Sequence, residues 1–561
     1  MCWVDAQTNI APVWRLYAVK PTPVSHLGLA LLLAASCSAA LGQAASDAKP
    51  AAAKKVVPNP SLERYNRAVN GFNKATQDFN SAKSANNPDL LKTANQEIAA
   101  NITDLNALAQ TSEYQNDPTV HNLLGYLYLT QGSPTAAIPE LQTTVRLSPD
   151  NLDARNNLGN ALRQQQNYDG AAEQYRYVLD HLKPGTTSLN AARIKFNLAT
   201  VLGQAGKTDE ALVLFGEMAA APSPDAATLK NYGFFLRKAG RNAEAADALR
   251  KAAEQDPKDA TAWLSAGELY ANGRRYDDAI AALTRAVGPD VDPKLDAVGQ
   301  YNAYFALGEA NAAKSSTREA IKDFEAAAGL QPQNAIPVYN KGVLQEQAGL
   351  KPDAEASYRS ALAKDPGSIQ IQTALGLLLA DEGNAAESAT LLASAVPKLT
   401  QDAKAAPIYA RLGDQYAKQN DYANADQARR QALALNPDDA DVRLALAGSE
   451  MMRRQYVAAL AQYDAAANLR PTDPAIQNGR GVAYKNLKQY PKALRAFQQA
   501  LALDPSNAQV QNNIGVLYEL LGSKALAVTA YKKALVLNPS LAIARRNLNR
   551  FAHKSASYRV Y

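Results

Sequence analysis

Five asparagines, Asn157, Asn197, Asn231, Asn340 and Asn513, fall at one place in a pattern that repeats in steps of 34 residues. A carboxamide both donates and accepts, so a row of them can pair with the backbone of an extended peptide whatever its sequence. Lys230, Arg237 and Lys238 crowd one short stretch, with Arg241, Arg274 and Arg275 following. Such charges suit an acidic peptide, a C-terminal carboxylate or an anionic glycan; they equally suit a solvated helix end, where cations oppose the dipole. Arg429, Glu450 and Arg480 occupy places that other copies of the pattern fill with apolar groups. Lone buried charges are too costly to persist. A semi-buried structural ion cluster of the three is therefore predicted, with a ligand site as the alternative.

Catalytic constellations are missing from the sequence. Gly206-Lys207-Thr208 ends like a phosphate-binding loop, but Val201 stands where the first glycine belongs and a helical pattern leads in. His121, His181 and His553 are scattered, and H-E-x-x-H, G-x-S-x-G and C-x-x-C do not occur. Adjacent acids such as Asp277-Asp278 and Asp438-Asp439 lie in turns and caps. The expectation is a chain that is not an enzyme and uses no cofactor or metal.

The elements that must position these residues follow from the period. From Pro118 to Leu541 the chain reads as twelve copies of a helix-turn-helix unit, with insertions at 186–191, 294–300 and 403–405. Gly or Ala fills the eighth place of every copy, as at Gly125, Gly159, Ala199 and Gly233. A second small residue stands twelve places on, as at Ala137, Ala171, Ala211 and Ala245. Two small residues so spaced let a pair of antiparallel helices cross closely. Stripes such as Tyr409/Leu412/Gly413/Tyr416 and Ala493/Phe497/Ala500 have helical spacing. Gly132, Gly206, Gly240, Gly349, Gly383 and Gly522 sit where the first helix must end. Prolines such as Pro149, Pro257 and Pro332 stop the second helix, and Asn151, Asp259, Asn334, Asp439 and Asn507 are placed to cap the next. A period of this length means a stacked α-solenoid rather than a globular enzyme core.

This pattern resembles the tetratricopeptide repeat, W-x2-L-G-x2-Y followed by a small residue, an aromatic, a second small residue and Pro. The resemblance covers about three quarters of the chain. It implies an all-α fold, a right-handed superhelix of stacked antiparallel helix pairs whose first helices line a concave groove that holds extended peptides or partner helices. In that register the asparagines form a row on the concave side, similar to the ladder in the repeat region of the O-linked N-acetylglucosamine transferases. Asn is also common there for structural reasons, and both readings stand. Lys230, Arg237 and Lys238 point to the groove in the same register. Departures from the family pattern include Arg429 in an aromatic slot, Lys341 and Arg480 for Leu, and Asn311, Gln345 and Glu450 for Tyr or Leu.

Outside the repeats, residues 1–44 have the layout of a secretory signal peptide: Arg15, Lys20 and His26, an apolar run from Leu27 to Ala35, then small residues to Ala44. Ala34-Ala35-Ser36-Cys37 resembles a weak lipoprotein box, making Cys37 the candidate for lipidation. An uncleaved anchor is the third reading, since residues 27–45 approach the ~20 needed to span a bilayer. All three place the repeats outside the cytoplasm, in the periplasm or cell envelope or secreted. The only other cysteine, Cys2, also lies in this leader. Residues 45–60 read as a flexible Ala/Lys/Pro linker. Residues 61–117 hold two longer helices, an N-terminal cap or a dimerising coiled-coil hairpin. Residues 542–561 read as a solvating helix and tail.

Net charge is +6; Arg15, Lys20 and Asp5 give the leader +1 and leave +5. So balanced a chain carries no nucleic-acid footprint. The expected function is an exported scaffold that binds peptide segments or partner proteins in a groove, tethering or assembling envelope machinery. A lipidated outer-membrane assembly or polysaccharide-secretion accessory is one alternative; a regulatory subunit of an enzyme complex is another.

Overall fold

The computed structural model describes residues 60–183, 189–400 and 402–556. The leader, Cys37 and most of the linker lie outside the described residues, as does the end of the tail. Among the described residues all regular structure is helical, in 27 α-helices and one short 3-10 turn, Val396–Lys398. The chain divides into two compact units, one reaching Pro257 and one starting at Lys258.

Unit 1 begins with the long helices α1 (Pro60–Ser84) and α2 (Pro88–Ala109). Four pairs follow: α3 (Pro118–Thr130) with α4 (Pro134–Leu147), α5 (Leu152–Gln164) with α6 (Tyr168–His181), α7 (Ala191–Gln204) with α8 (Thr208–Ala219), and α9 (Ala226–Lys238) with α10 (Asn242–Gln255). Unit 2 contains eight pairs: α11 (Ala260–Asn272) and α12 (Tyr276–Ala286), α13 (Ala297–Ala313) and α14 (Thr317–Leu330), α15 (Ala335–Gln347) and α16 (Lys351–Lys364), α17 (Ile369–Glu382) and α18 (Ala385–Ala395). It continues with α19 (Ala406–Lys418) and α20 (Tyr422–Leu435), α21 (Ala440–Met452) and α22 (Tyr456–Leu469), α23 (Pro474–Asn486) and α24 (Tyr490–Leu503), α25 (Ala508–Leu520) and α26 (Lys524–Leu537), then the single α27 (Ala542–Ala556). Within each unit successive helices pack on one another, giving the stacked helix-pair architecture of an α-solenoid.

Local chemistry explains the boundaries. Asn151, Asp259, Asn334, Asp439 and Asn507 each accept hydrogen bonds from the first turn of the following helix at 3.0–3.1 Å. The glycine after each first helix has φ between 74° and 89° at Gly132, Gly206, Gly240, Gly349, Gly383 and Gly522. Where the repeat has no glycine there, Gln166, Arg274, Ser315, Asn420, Arg454 and Lys488 take the same left-handed turn at φ near 60°. The turn is therefore imposed by the helix pair and not by the residue in it. One expected boundary moves: part of the 294–300 insertion becomes an extra turn of α13, because Asp296 caps the amide of Gly299 at 2.7 Å.

The core repeats one contact. The eighth-place glycine of the first helix lies under the side chain sixteen residues on, in the second helix. Added Cβ atoms would lie 2.8 Å from the Tyr175 ring at Gly159 and 2.5 Å from the Phe497 ring at Gly481. Tyr175, Phe324, Tyr358, Phe497 and Tyr531 are all fully buried over such glycines. The tyrosine hydroxyls leave the core to a partner: Tyr358 donates to Glu346 at 2.6 Å and Tyr531 to Glu519 at 3.0 Å.

The two N-terminal helices use their apolar stripe inside the chain. Phe72, Ile98, Ile102, Leu105 and Leu108 share one core cluster with Tyr114, Val120, Leu123, Leu124 and Leu127 of the first repeat and the turn before it. Tyr65 stacks on Tyr114 at 5.1 Å and Asn106 donates to the Tyr128 hydroxyl at 2.9 Å. His121, buried in α3, holds the connecting turn by contacts to Glu140 at 2.6 Å and the Gln115 carbonyl at 3.0 Å.

Two glycines should respond with opposite sign to the same change. Gly481→Ala pushes a methyl into Phe497 and is expected to destabilise the protein by about 1–3 kcal/mol. Gly448, also within a first helix, has nothing within 4 Å of its Cβ direction. Gly448→Ala is expected to stabilise by up to about 1 kcal/mol from helix propensity. Thermal or urea unfolding of both variants checks the contrast.

Candidate functional site

Unit 1 contains a cleft of about 820 Å³. Its wall is built mainly from α1, which contributes Phe79 and Lys83, and from first helices: Tyr126, Leu129 and Thr130 of α3, Asn157, Asn160 and Arg163 of α5, Arg193, Phe196 and Asn197 of α7; Met218 of the second helix α8, the turn after it and the start of α9 close it. A shallower hollow of about 520 Å³ along α2 is lined by that helix alone, from Pro88 to Ala99.

Two members of the asparagine row meet in the cleft. Asn157 and Asn197 are each 8% exposed, line the cleft, and spend no amide on a hydrogen bond with any described residue. The rest of the row is otherwise placed. Asn231 donates to the Ala227 carbonyl of its own helix at 2.9 Å. Asn340 is buried on α15 of unit 2. Asn513 donates to Asn478, at the fifth place of the preceding repeat, at 3.0 Å, and Asn547 of α27 does the same to Asn512. In α25 and α27 the amide is therefore a rung between repeats.

The cations expected at the groove do not line the cleft. Lys238 donates to the Gly203 carbonyl at 3.1 Å, capping the end of α7, and Arg237 is exposed. Lys230 is half-buried on α9. Lys83, Arg163 and Arg193 stand in the cleft instead. Burial pushes the Tyr175 hydroxyl up to about 12, and the charges of Arg163 and Arg193 pull it the other way. Tyr175 donates to Asn160 at 2.8 Å. The acid at the rim, Asp225, is spent as the cap of α9, accepting from the Thr228 amide and hydroxyl, each at 2.8 Å. The cleft thus offers free amides and an excess of positive charge beside Phe79, Tyr126 and Phe196. Arg163 was missed from the sequence; its place on the first helix, two turns beyond Asn157, is the signal that could have found it. Arg193 follows the 186–191 insertion, where register is least defined, and Lys83 belongs to no repeat.

Arg429, Glu450 and Arg480 do not form the single cluster predicted for them; each has its own partners. Arg429, 5% exposed, donates to Asp414 at 2.9 Å and to the Ala445 carbonyl at 3.1 Å. Glu450, fully buried, accepts from Arg430 at 2.6 Å. Beside it Asp426, also buried, takes Arg453 at 2.6 Å and the Ser449 hydroxyl. Arg480 lies one repeat away, 2.7 Å from Asp464. Lys341 repeats this last geometry with Glu325 at 2.9 Å. A cation at the seventh place of a repeat is thus neutralised by a carboxylate on the second helix of the repeat before. Among the described residues no three His, Cys, Asp or Glu side chains converge on a metal position, and no helix is long and apolar enough to cross a membrane.

Burial raises the Glu450 carboxyl above its ordinary value, against the Arg430 hydrogen bond and with Asp426 adding to the rise. A raised carboxyl binds its proton more tightly folded than unfolded. Its contribution to stability therefore falls as pH rises from the ordinary glutamate value through the folded one. Glu450→Gln keeps an acceptor for Arg430, which is exposed enough to be rehydrated. This variant is expected to be more stable at pH 8 by about 1 kcal/mol and to lose part of the wild-type slope in unfolding measured between about pH 4.5 and 8.

Comparison with known proteins finds similarity to repeat proteins. Human (Homo sapiens) Superkiller complex protein 3 is 28% identical over 115 residues, 20% of this chain and 7% of that protein, so the match spans a small part of that relative. Among solved structures, the APC/C hetero-tetramer Cut9-Hcn1 is 16% identical, covering 87% of this chain and 98% of that one at a TM-score of 0.29. YrrB, described as a TPR protein with an unusual peptide-binding site, is 21% identical, covering 40% of this chain and 96% of that one at a TM-score of 0.26. Models of the tetratricopeptide repeat match residues 122–186, 236–293, 305–369, 339–405 and 411–474, then 474–507 and 508–541. The stretch 187–235, between the first two matches, contains the third repeat, with Ala199 in place of glycine. With over half of its residues matched, the chain belongs to the tetratricopeptide-repeat family.

Proposed function

We propose that this protein is a binding scaffold that holds an extended, acidic segment of a partner protein in the cleft of unit 1. One observation carries the reading: Asn157 and Asn197 are more than nine-tenths buried, line the cleft and bond to no described residue. Amides that face the cleft without a partner in the protein are open to a ligand that can pair with them. A peptide backbone matches amides that both donate and accept. Arg163 adds planar donors suited to carboxylates, and Phe79, Tyr126 and Phe196 offer ring faces to side chains. Membership of the family fits a scaffold for protein–protein contacts, and the cleft supplies binding groups without a nucleophile–base pair. The location we propose, outside the cytoplasm and serving envelope machinery, rests on the leader-like sequence of residues 1–44 alone.

Selection of displayed peptides on the intact protein tests the cleft. Enrichment of Asp and Glu is expected. Asn157→Ala with Asn197→Ala should weaken selected peptides about tenfold or more, at roughly 1 kcal/mol for each hydrogen bond lost. Arg163→Glu should weaken them further at low salt, whereas Lys230→Glu should have less effect. Selected peptides that bind the double alanine variant as well as wild type would remove the reading.

The leader has its own test, the N-terminal mass of the protein recovered from a bacterial envelope. A free N-terminus near Ala45 supports cleavage and export, and a lipid-modified Cys37 supports the lipidated accessory. An intact Met1 in a soluble cytoplasmic fraction would contradict both.

A further inference from the structure

The first helix α13 of unit 2 carries Tyr301, Phe305 and Glu309 at successive four-residue steps, which places them along one face. All three are half-buried. Tyr301 and Phe305 stack at 5.7 Å, Phe324 meets Phe305 edge-on at 5.6 Å, and Asn334 donates to the Tyr301 hydroxyl at 3.0 Å. Glu309 takes no hydrogen bond or ion pair from any described residue. It occupies the ninth place of its repeat, the place that Asn160 holds in the cleft of unit 1.

Apart from Arg318, exposed in the first turn of α14, the charged groups of the helices packed on α13 have partners of their own. On α12, Asp277 pairs with Lys314, Asp278 lies 2.7 Å from Arg275, and Arg285 lies over the Trp263 ring at 4.8 Å. On α14, Asp323 accepts from Asn311 at 2.7 Å and Glu325 from Lys341 at 2.9 Å, while Glu319 and Lys322 act on Asp323. On α11, Glu268 stands at the ninth place of the repeat before and has contacts of its own. Burial alone pushes the Glu309 carboxyl up to about 7.

We propose that Glu309, with the rings of Tyr301 and Phe305 beside it, is a subsite for a lysine or arginine side chain of a partner segment. The inference shares with the proposed function the premise that first-helix faces receive partner segments, but it uses none of the residues of the unit 1 cleft. A carboxylate in a poorly hydrated place gains most from a cation that it now lacks. A long aliphatic stem can lie across Phe305 while its charged end reaches Glu309, and the ring faces attract the cation in their own right. Docking selects the ionised carboxyl, so binding releases to solvent whatever proton Glu309 carries, roughly half a proton per cation near pH 7.

The test is fluorescence anisotropy of a labelled peptide of about ten residues, alternating lysine and alanine, with the intact protein at low salt. Lysine keeps its charge throughout the range of about pH 5.5 to 8.5, so a slope reports the protein. Wild-type affinity is expected to rise with pH, by at most about tenfold per unit, and to level off above about pH 7.5. Glu309→Gln should lower affinity about tenfold at pH 8 and abolish the slope. Phe305→Leu should weaken binding and keep the slope. Asn157→Ala with Asn197→Ala should leave lysine-peptide binding intact, which separates a failure here from a failure of the cleft. Absence of binding to wild type, or a Glu309→Gln variant with unchanged affinity and slope, would overturn the subsite.

Discussion

The structure depends on one contact: a side chain of the second helix lying over a glycine or alanine at the eighth place of the first. Without a side chain at that place, the two helices approach closely enough for the ring of Tyr175, Phe324, Tyr358, Phe497 or Tyr531 to be buried in full. Such burial stabilises each pair by a few kcal/mol. It also orients the pair, because the small residue twelve places on, such as Ala171 or Ala493, must lie against the same crossing. The rest follows by stacking: each pair leaves an apolar face that only the next can cover. Tyrosine hydroxyls emerging from this contact then meet groups on the first-helix face, as Tyr175 meets Asn160 beside the cleft.

That arrangement separates stability from recognition. The second helices and inward-facing glycines hold the stack, leaving the outward places of the first helices free to vary. In unit 1 those places and α1 bring Lys83, Arg163, Arg193 and two unengaged amides to a cleft. In unit 2 the face of α13 carries an uncompensated carboxyl beside aromatic rings. Repeats of one architecture thus present opposite chemistry in different units, as expected where function lies in sites grafted onto a fold.

Much of the fold was legible in the sequence because its determinants are local. A cap at Asn151 or Asp259 needs only the amides of the next turn, and a left-handed glycine at Gly206 needs only the helix before it. Side-chain pairing between repeats was harder to read. Arg480 meets Asp464 and Lys341 meets Glu325, each on the second helix of the preceding repeat, so the residues resembled unexplained departures when taken alone. Asp426, Arg430 and Arg453 resembled ordinary surface charges until α20 and α21 were packed together. The site was half visible. Asn157 and Asn197 were found by register, whereas Arg193 follows an insertion and Lys83 lies outside the repeats. Lys238 fits the groove in register and is nonetheless drawn to the end of α7, where the Gly203 carbonyl otherwise accepts only from amides of the closing turn.

The most direct measurement of the central claim is amide hydrogen exchange on the intact protein with and without a cleft-selected peptide. Slowed exchange is expected in α3, α5 and α7 and at the end of α1, with α4, α6 and α8 little changed. Protection confined to second helices, with the first helices of unit 1 unaffected, would contradict the assignment of the cleft as the binding site.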